Sequence, residues 1–341
     1  MIFEPPAAAL RDPEAFKAEV MARCEPAVLR GAARDWPMLS GATTMGAAPG
    51  AALDGVVEHL RRFDVGKLAE VLVGKPEIGA RYNYDATLAG FNFERSSVPF
   101  GEALTRILDS AANPGRASMY MGSMTAETYF PGIEETTRLS FVPTAIRPRF
   151  WVGHASTVAC HYDTMDNVAC VAAGRRRFTL FPPDAIRDLY VGPIDHTLAG
   201  QPISLAVGSE PGDPRFPRFE DARDRALVVE LEPGDALYVP KLWWHQVEAV
   251  GDVNVLVNFW WDGFSVGPDQ PYTAMLLSLL AIAERPPAER AAWRAWFDHY
   301  VFRPDGHPLA FLPPERHGVL GASKENHGRI RALVMRLLRG G

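Results

Sequence analysis

The sequence predicts a mainly β protein with flanking helices and a helical C-terminal segment. Between residues 146 and 262, β-branched and aromatic runs are interrupted by Pro and Gly at regular intervals, as in RALVVELEPGDALYVP. Many short strands separated in this way are typical of a β-sandwich or barrel. Helical periodicity follows after residue 268, whereas short helical and strand-like runs alternate before residue 145.

The first zone, residues 1–145, is expected to surround the barrel with short elements. Its apolar spacing predicts helices over Asp12 to Met21, Ala52 to Phe63 and Phe100 to Ala111. The runs PAVLRGAA and ARYNYDA are typical of short strands between these helices.

The barrel core, residues 146–267, is predicted to complete a domain of residues 1–267. One segment interrupts it, from Gly192 to Arg225, and this segment is rich in Pro, Gly, Asp and Arg. Connections of this length are usually functional or mobile. We therefore expect a long excursion between two strands of the barrel.

The last zone, residues 268–341, is predicted to be helical. Its patterns are YTAMLLSLLAIAER, PAERAAWRAWFDHYVF and a last helix near Ile330 to Leu338. The first of these helices is hydrophobic almost all round, which leaves two interpretations open. It forms a homodimer interface, or it covers the barrel. Its apolar residues are Met275, Leu276, Leu279, Leu280 and Ile282.

Composition and charge exclude several classes of function. The 341 residues carry a formal net charge of -6, whereas nucleic-acid binding needs clustered, unopposed Lys and Arg. The longest apolar helix pattern, Ala274 to Ala283, is roughly half of the ~20 residues that a bilayer span requires. Three cysteines without close pairing favour reduced thiols, and the N-terminus does not resemble a signal peptide. We expect a cytoplasmic protein without nucleic-acid or membrane partners.

The stretch HYDTMDNVACVAAG begins with two residues that are costly to bury, His161 and Asp163. On a strand, side chains at positions i and i+2 point to the same face. A neutral imidazole and a carboxylate in that arrangement can chelate a divalent metal ion. The alternative is a core histidine that is hydrogen-bonded to a nearby acid.

A second histidine follows in LEPGDALYVPKLWWHQV. A turn at Gly234, a short strand and Pro240 precede His245. Two histidines and one carboxylate form the facial triad that binds non-haem Fe(II) and leaves three coordination positions open. The alternative is an aromatic core cluster of His245 with Trp243 and Trp244.

At these residues the chain resembles the JmjC-type, cupin-8 oxygenases, and among them the asparaginyl hydroxylases. The resemblance implies a double-stranded β-helix, the cupin or jelly-roll core, that holds Fe(II) and 2-oxoglutarate. It is carried by the spacing of Gly234, Pro240 and His245, by HYD at 161–163, FPPD at 181–184 and VNFWW at 257–261, and by EPAVLRGAARDWPML at 25–39.

The resemblance assigns His161, Asp163 and His245 as the iron ligands. It also implies that Arg176 pairs with the distal carboxylate of 2-oxoglutarate, at a position where the most similar hydroxylases have lysine. Arginine can form this pair as a bidentate fork. If Arg176 faces the lumen together with Phe178 and Leu180, strand alternation places Arg175 and Arg177 in solvent.

Four further positions lie near the cosubstrate in this family. Tyr120, Asn167 and Asn258 match directly, whereas the fourth position, a threonine in the family, is occupied by Val158, and the neighbouring Thr157 is the candidate to replace it. Taken by themselves, Asn258 could satisfy a backbone group and Tyr120 could be an ordinary half-buried aromatic. A bulky, dry lining is expected from Phe178, Trp244, Phe259 and Trp260.

The predicted function is an Fe(II)- and 2-oxoglutarate-dependent dioxygenase that uses O₂ to hydroxylate a C–H bond. The resemblance favours a protein or peptide side chain, bound in a groove that includes RYNYD at 81–85. Three alternatives stay open: a small-molecule substrate, a non-oxidative metal cupin such as an isomerase, and a binding module without metal. The complete triad argues against the last one, and no chromatin-reading or zinc module favours histone demethylation.

Overall fold

The computed structural model describes residues 2–40, 51–113, 115–198, 200–265, 267–321 and 323–340. The chain divides into two compact units, Met1–Gly263 and Phe264–Gly341. All of the predicted site residues belong to the first unit. In the described part of the second unit, the regular elements are helices.

The first unit contains one large sheet. Its strands are β1 Ala27–Leu29, β2 Leu68–Gly74, β3 Arg81–Tyr82, β4 Glu94–Pro99, β5 Ser118–Thr125, β6 Arg149–His161, β7 Asp166–Phe181, β8 Leu227–Leu231, β9 Ala236–Val239 and β10 Trp244–Trp261. The strand order is β1-β9-β7-β10-β6-β5-β2-β4, with β3 added to β6 and β8 added to β7, and all pairs are antiparallel except β3 with β6.

Helices flank this sheet in the first unit. Asp12 caps the first helix, because its carboxylate accepts a hydrogen bond of 2.8 Å from the backbone N–H of Ala15. The predicted mainly β class, with flanking helices and a helical C-terminal segment, is confirmed. The helices are α1 Pro13–Glu19, α2 Ala51–Phe63, α3 Phe100–Ser110, α4 Ala126–Tyr129 and α5 Phe219–Arg223.

The two faces of the central strands β7 and β10 pack into different clusters. One face packs against the helices, for example through Cys170, Val257 and Phe259 with Phe16 of α1. The other face contributes Val171, Phe178, Leu180, Val247 and Leu256 to a second cluster. Burying each such aliphatic or aromatic side chain stabilises the fold by about 1.5–3 kcal/mol. The alternation therefore fixes which residues can face an interior pocket.

The predicted excursion, residues 192–225, is only partly irregular. Its described residues include α5, and Phe219 and Ala222 pack with Phe181 at the end of β7 and with Trp244. Ile203 makes an isolated bridge to His161. The excursion is thus held against the end of the barrel where His161 lies.

The second unit contains α6 Pro271–Ile282, α7 Pro287–Phe297 and α8 Lys324–Leu338, with a π-helical turn at Asp298–Phe302. Arg331 of α8 donates a hydrogen bond of 2.9 Å from Nε to the carboxylate of Asp269. Within the described residues, every helix falls short of the length and apolarity that a bilayer crossing requires.

One of the two interpretations of α6, a homodimer interface, is tested by its exposed leucines. Leu279 and Leu280 are 43% and 86% exposed. We expect the wild-type chain to be a dimer by light scattering after gel filtration, and Leu279→Glu with Leu280→Glu to give a monomer, because charge disfavours an apolar interface. Leu88→Glu, at a leucine of the first unit that is 44% exposed, is the matched control. A monomeric wild-type chain at high concentration would refute the dimer.

Candidate functional site

The three predicted metal ligands come together at one end of the barrel. His161 ends β6, Asp163 lies two residues further along the chain, and His245 lies at the start of β10, directly opposite His161 in the antiparallel pair. One potential ligand atom from each residue lies within 4.8 Å of the other two. Nε2 of His245 is 3.7 Å from Oδ2 of Asp163. The spacing fits a single shared cation.

Backbone carbonyls orient both imidazoles. Nδ1 of His161 is 2.8 Å from the carbonyl oxygen of Ala159, and Nδ1 of His245 is 3.0 Å from that of Trp243. A carbonyl only accepts, so each Nδ1 carries the proton and donates. In the neutral tautomer that donates from Nδ1, Nε2 keeps a free lone pair, and this is the form that binds a metal ion.

Burial keeps His245 neutral. Its side chain is enclosed, and desolvation, followed by the nearby imidazole of His161, lowers its pKa to about 4, while Asp163 partly opposes this shift. A neutral imidazole near pH 7 needs no deprotonation before it binds a cation. The electrostatics of the site therefore agree with its hydrogen bonds.

Arg176 is a buried cation without a counter-ion in the described part of the chain. It lies on β7 and is 2% exposed, and its Nε and Nη2 have no hydrogen-bond partner among the described residues. Burial lowers the pKa of its guanidinium, and Tyr120 partly offsets this effect. An unpaired buried charge is strongly destabilising, so the pocket is suited to an anion that the protein itself does not supply.

The alternation expected on β7 is confirmed. Arg176 and Phe178 are buried, whereas Arg175 and Arg177 are exposed. Arg177 pairs instead with Glu230 of β8, with 2.6 Å between Nη2 and Oε1. Only the middle arginine of the three therefore reaches the interior.

Tyr120 faces the same pocket from β5. It is 7% exposed, and burial raises its pKa to about 12, although Arg176 pulls the pKa down. The phenol therefore stays protonated and can donate a hydrogen bond to an anion beside Arg176.

Asn167 of β7 and Asn258 of β10 form a buried amide pair in this pocket. Nδ2 of Asn258 donates to Oδ1 of Asn167 at 2.8 Å. Oδ1 of Asn258 has no partner among the described residues. The pair thus offers one unused buried acceptor to a ligand.

Thr157 is not brought into the pocket, whereas its neighbour Val158 is. On β10, His245 and Val247 are two positions apart, while on β6 their partners His161 and Val158 are three positions apart. The extra residue on β6 forms a β-bulge, so the residues that point toward the cavity shift by one position along the strand. Simple alternation counted back from His161 is therefore misleading here.

A cavity of about 340 Å³ connects the metal ligands, Arg176 and Tyr120. The expected lining is correct for Phe178 and Trp260 and wrong for Trp244 and Phe259. Those two lie on the opposite face of β10, where they join separate core clusters. The residues that sequence reasoning missed include Phe93, Trp151, Leu198, Gln201 and Ile203.

Charged and aromatic residues border this cavity. Arg95 pairs with Glu70 at 2.5 Å and donates from Nη2 to the carbonyl oxygen of Leu198 at 2.6 Å. Of the RYNYD segment, Tyr82 lines the cavity, whereas Tyr84 stacks on Phe91 outside its lining. The Arg95 contacts tie the excursion to the N-terminal strands.

His154 faces away from the metal ligands. Its Nδ1 accepts from the backbone N–H of Met119 at 3.0 Å, and its Nε2 is 2.9 Å from the carbonyl oxygen of Ile107. Burial lowers its pKa. Both ring nitrogens of His154 therefore make hydrogen bonds to the backbone, and neither is left to bind a metal ion.

Comparison with known proteins relates this site to a family. Residues 13–266 match the family described as a cupin-like domain. Lysine-specific demethylase JMJ31 of Arabidopsis thaliana is 36% identical over 114 residues, 33% of this chain and 20% of that protein. The HSPB1-associated protein 1 homolog of Danio rerio is 27% identical over 271 residues, 73% of this chain and 54% of that protein.

Lysine-specific demethylase 8 of Xenopus tropicalis is 32% identical over 112 residues, 33% of this chain and 24% of that protein. The matched regions thus span between a fifth and about half of the length of these three relatives.

Metal binding can be measured without any enzymatic assay. We expect the wild-type chain to bind one Co(II), with a visible spectrum, and His161→Ala or Asp163→Ala to weaken binding by more than about 100-fold, because losing even a residue behind a ligand typically costs 10- to 100-fold. His299→Ala, at an exposed histidine of the second unit, is the control. Equal Co(II) affinity in all four proteins would contradict the assignment.

Proposed function

The chain belongs to the cupin-like domain family, and we propose that it is an Fe(II)- and 2-oxoglutarate-dependent dioxygenase. The observation that carries this proposal is Arg176, whose buried, unpaired guanidinium shares a cavity with His161, Asp163 and His245. A metal cupin that performs no oxidation has no need for this cation. A dicarboxylate cosubstrate supplies its missing partner.

The donor set fits iron. Two neutral imidazoles and one carboxylate are the ligands of non-haem Fe(II) oxygenases, and they leave coordination positions for other ligands. Fe(II), when bound, supplies the redox chemistry with O₂ that the protein side chains lack. Overall, 2-oxoglutarate, O₂ and R–H become succinate, CO₂ and R–OH, with one oxygen atom in succinate and one in the alcohol.

The side chains of the cavity bind and orient the cosubstrate. Arg176 forms the charge-assisted pair with its distal carboxylate, and the protonated phenol of Tyr120 donates to the same group. The amide pair of Asn167 and Asn258 is proposed to lie beside the cosubstrate. Val158, which replaces the expected hydroxyl of Thr157, adds apolar surface and no hydrogen bond.

Apolar side chains keep water away from the reacting atoms. Phe178, Trp260 and Trp151 line the cavity around the polar groups. Lower water access strengthens each electrostatic contact inside the cavity. The rigid β-strands hold these residues, so little reorganisation is needed when ligands bind.

We propose a protein or peptide side chain as the substrate. The cavity of about 340 Å³ lies near the lower end of the ~300–1,000 Å³ range of ligand pockets, and the cosubstrate takes part of it. The remaining space is better suited to one amino-acid side chain than to a bulky metabolite. Glu70 and Arg95 at the border offer charged groups to a flanking main chain.

A second candidate is removal of a methyl group from lysine. Two of the similar proteins are named lysine-specific demethylases. Hydroxylation of an N-methyl group gives a hemiaminal, which breaks down to the amine and formaldehyde. The same site residues serve both reactions, and the product distinguishes them.

We also propose a reducing compartment, in agreement with the predicted cytoplasmic location. Cys24, Cys160 and Cys170 are all free thiols. Burial raises the pKa of Cys160 and Cys170, which makes both unreactive.

Arg176 gives a test in stability as well as in binding. We expect Arg176→Met to raise the free energy of unfolding of the ligand-free protein by about 1–4 kcal/mol, because an unpaired buried charge is replaced by an apolar side chain. The same variant should lose the thermal stabilisation that 2-oxoglutarate gives to the wild-type chain, and Arg176→Lys should keep part of it.

Arg177→Gln, which removes the exposed neighbouring arginine, is the matched control for these measurements. Wild-type protein that gains no stability from 2-oxoglutarate in the presence of Mn(II) would rule out the proposed cosubstrate.

The substrate class can be tested by mass spectrometry. Wild-type chain with Fe(II), ascorbate and 2-oxoglutarate is incubated with a proteome-derived peptide pool, and His161→Ala is the inactive control. We expect peptides with a stable gain of one oxygen, together with succinate. Loss of methyl groups with formaldehyde release would favour the demethylase instead, and turnover only with metabolite extracts would reject a peptide substrate.

A further inference from the structure

A second pocket lies on the outside of the barrel, away from the metal ligands. Its volume is about 540 Å³, and it shares no lining residue with the cavity described above. It is bordered by β3, β6 and the bend of β10, and Ser156 and Thr157 of β6 are five and four residues before His161. At about 3.3 Å per residue, the two sites are roughly 15 Å apart along β6.

The lining of this second pocket is basic. Lys75, Arg81 and Arg116 face a single carboxylate, Glu248. Within the described residues, neither arginine has an ion pair, and Lys75 reaches only Glu94, at 3.8 Å, with both side chains more than 70% exposed. Glu248 is itself 3.9 Å from Arg177. The whole chain carries a formal net charge of -6, so the excess of positive charge is specific to this pocket.

Hydrogen-bond donors are also left without partners in this pocket. Ser156 is 7% exposed, and its Oγ has no partner among the described residues. Nε of Arg116 is buried and equally unpartnered. Ser118, by contrast, already donates to the carbonyl oxygen of Gly74 and accepts from Tyr82. Buried donors are normally satisfied, so two unsatisfied donors beside three cations indicate a missing acceptor.

We propose that this second pocket binds the phosphate group of a small phosphorylated molecule. A phosphate carries close to two negative charges and several acceptor oxygens, which match two guanidinium groups, one ammonium and one hydroxyl. The volume exceeds that of a bare ion and lies in the range of small-molecule sites. The site is independent of the proposed oxygenase activity.

Two adjacent residues of β3 connect the second pocket to the first cavity. Arg81 lines the second pocket, and the adjacent Tyr82 on β3 lines the cavity with the metal ligands. Tyr82 also donates a hydrogen bond of 3.1 Å to Ser118, which lines the second pocket.

Calorimetric titration with inorganic phosphate tests the proposal on the full chain saturated with 2-oxoglutarate, at constant ionic strength. Arg81→Gln and Arg116→Gln should each weaken phosphate binding by about tenfold, because each removes a charge-assisted hydrogen bond. Ser156→Ala, which deletes only a hydroxyl, should weaken it by about threefold. Arg62→Gln, at an exposed arginine of α2, removes the same charge elsewhere and should change nothing.

Equal phosphate affinity in all of these proteins, or no phosphate binding by the wild-type chain, overturns the proposal. Citrate binding as tightly as phosphate overturns the preference for a phosphate group. Repeating the titration with Arg176→Met separates the two sites. Phosphate binding that persists there belongs to the second pocket even if 2-oxoglutarate does not bind, and binding that disappears places the anion in the first cavity.

Discussion

The register between β6 and β10 is the constraint on which the candidate site depends. It places His245 opposite His161, although more than eighty residues separate them along the chain. A slip of one residue would turn His245 to the other face of the sheet and bring Trp244 inward. Such a slip is opposed on both sides of β10, because β7 pairs with it over most of its length and the two faces pack into different clusters. The two histidines of the candidate metal site are thus positioned by the same pairing that builds the core.

Arg176 shows how far the interior departs from what stability alone favours. The surrounding barrel is strong enough to hold a guanidinium that is 2% exposed and has no counter-ion among the described residues. Buried groups whose pKa is strongly shifted by desolvation concentrate at functional sites. The neutral His245, the protonated Tyr120 and Arg176 all line this cavity, which supports the proposal that it binds a metal ion at one end and an anion at the other.

Local patterns were sufficient for much of this fold. Alternation along β7 correctly placed Arg176 inside and Arg175 outside, and the helices at residues 100–110 and 271–282 follow their apolar spacing. Sequence reasoning missed features that depend on distant segments. Because of the bulge in β6, the side chain of Val158 lines the cavity and that of Thr157 does not, and this bulge arises from the pairing with β10. The second pocket combines residues from separate parts of the chain, none of which stands out in its own segment.

The two-residue strand β3 has a thermodynamic consequence for the whole first unit. Arg81 lines the second pocket and Tyr82 lines the first cavity, so a small displacement of this strand changes the shape of both. If occupancy of one pocket shifts the strand, linkage requires that each ligand change the affinity of the other by the same factor. Binding of a metabolite in the second pocket could then change ligand affinity in the first cavity through Arg81 and Tyr82 alone, without a hinge, a lid or an additional domain.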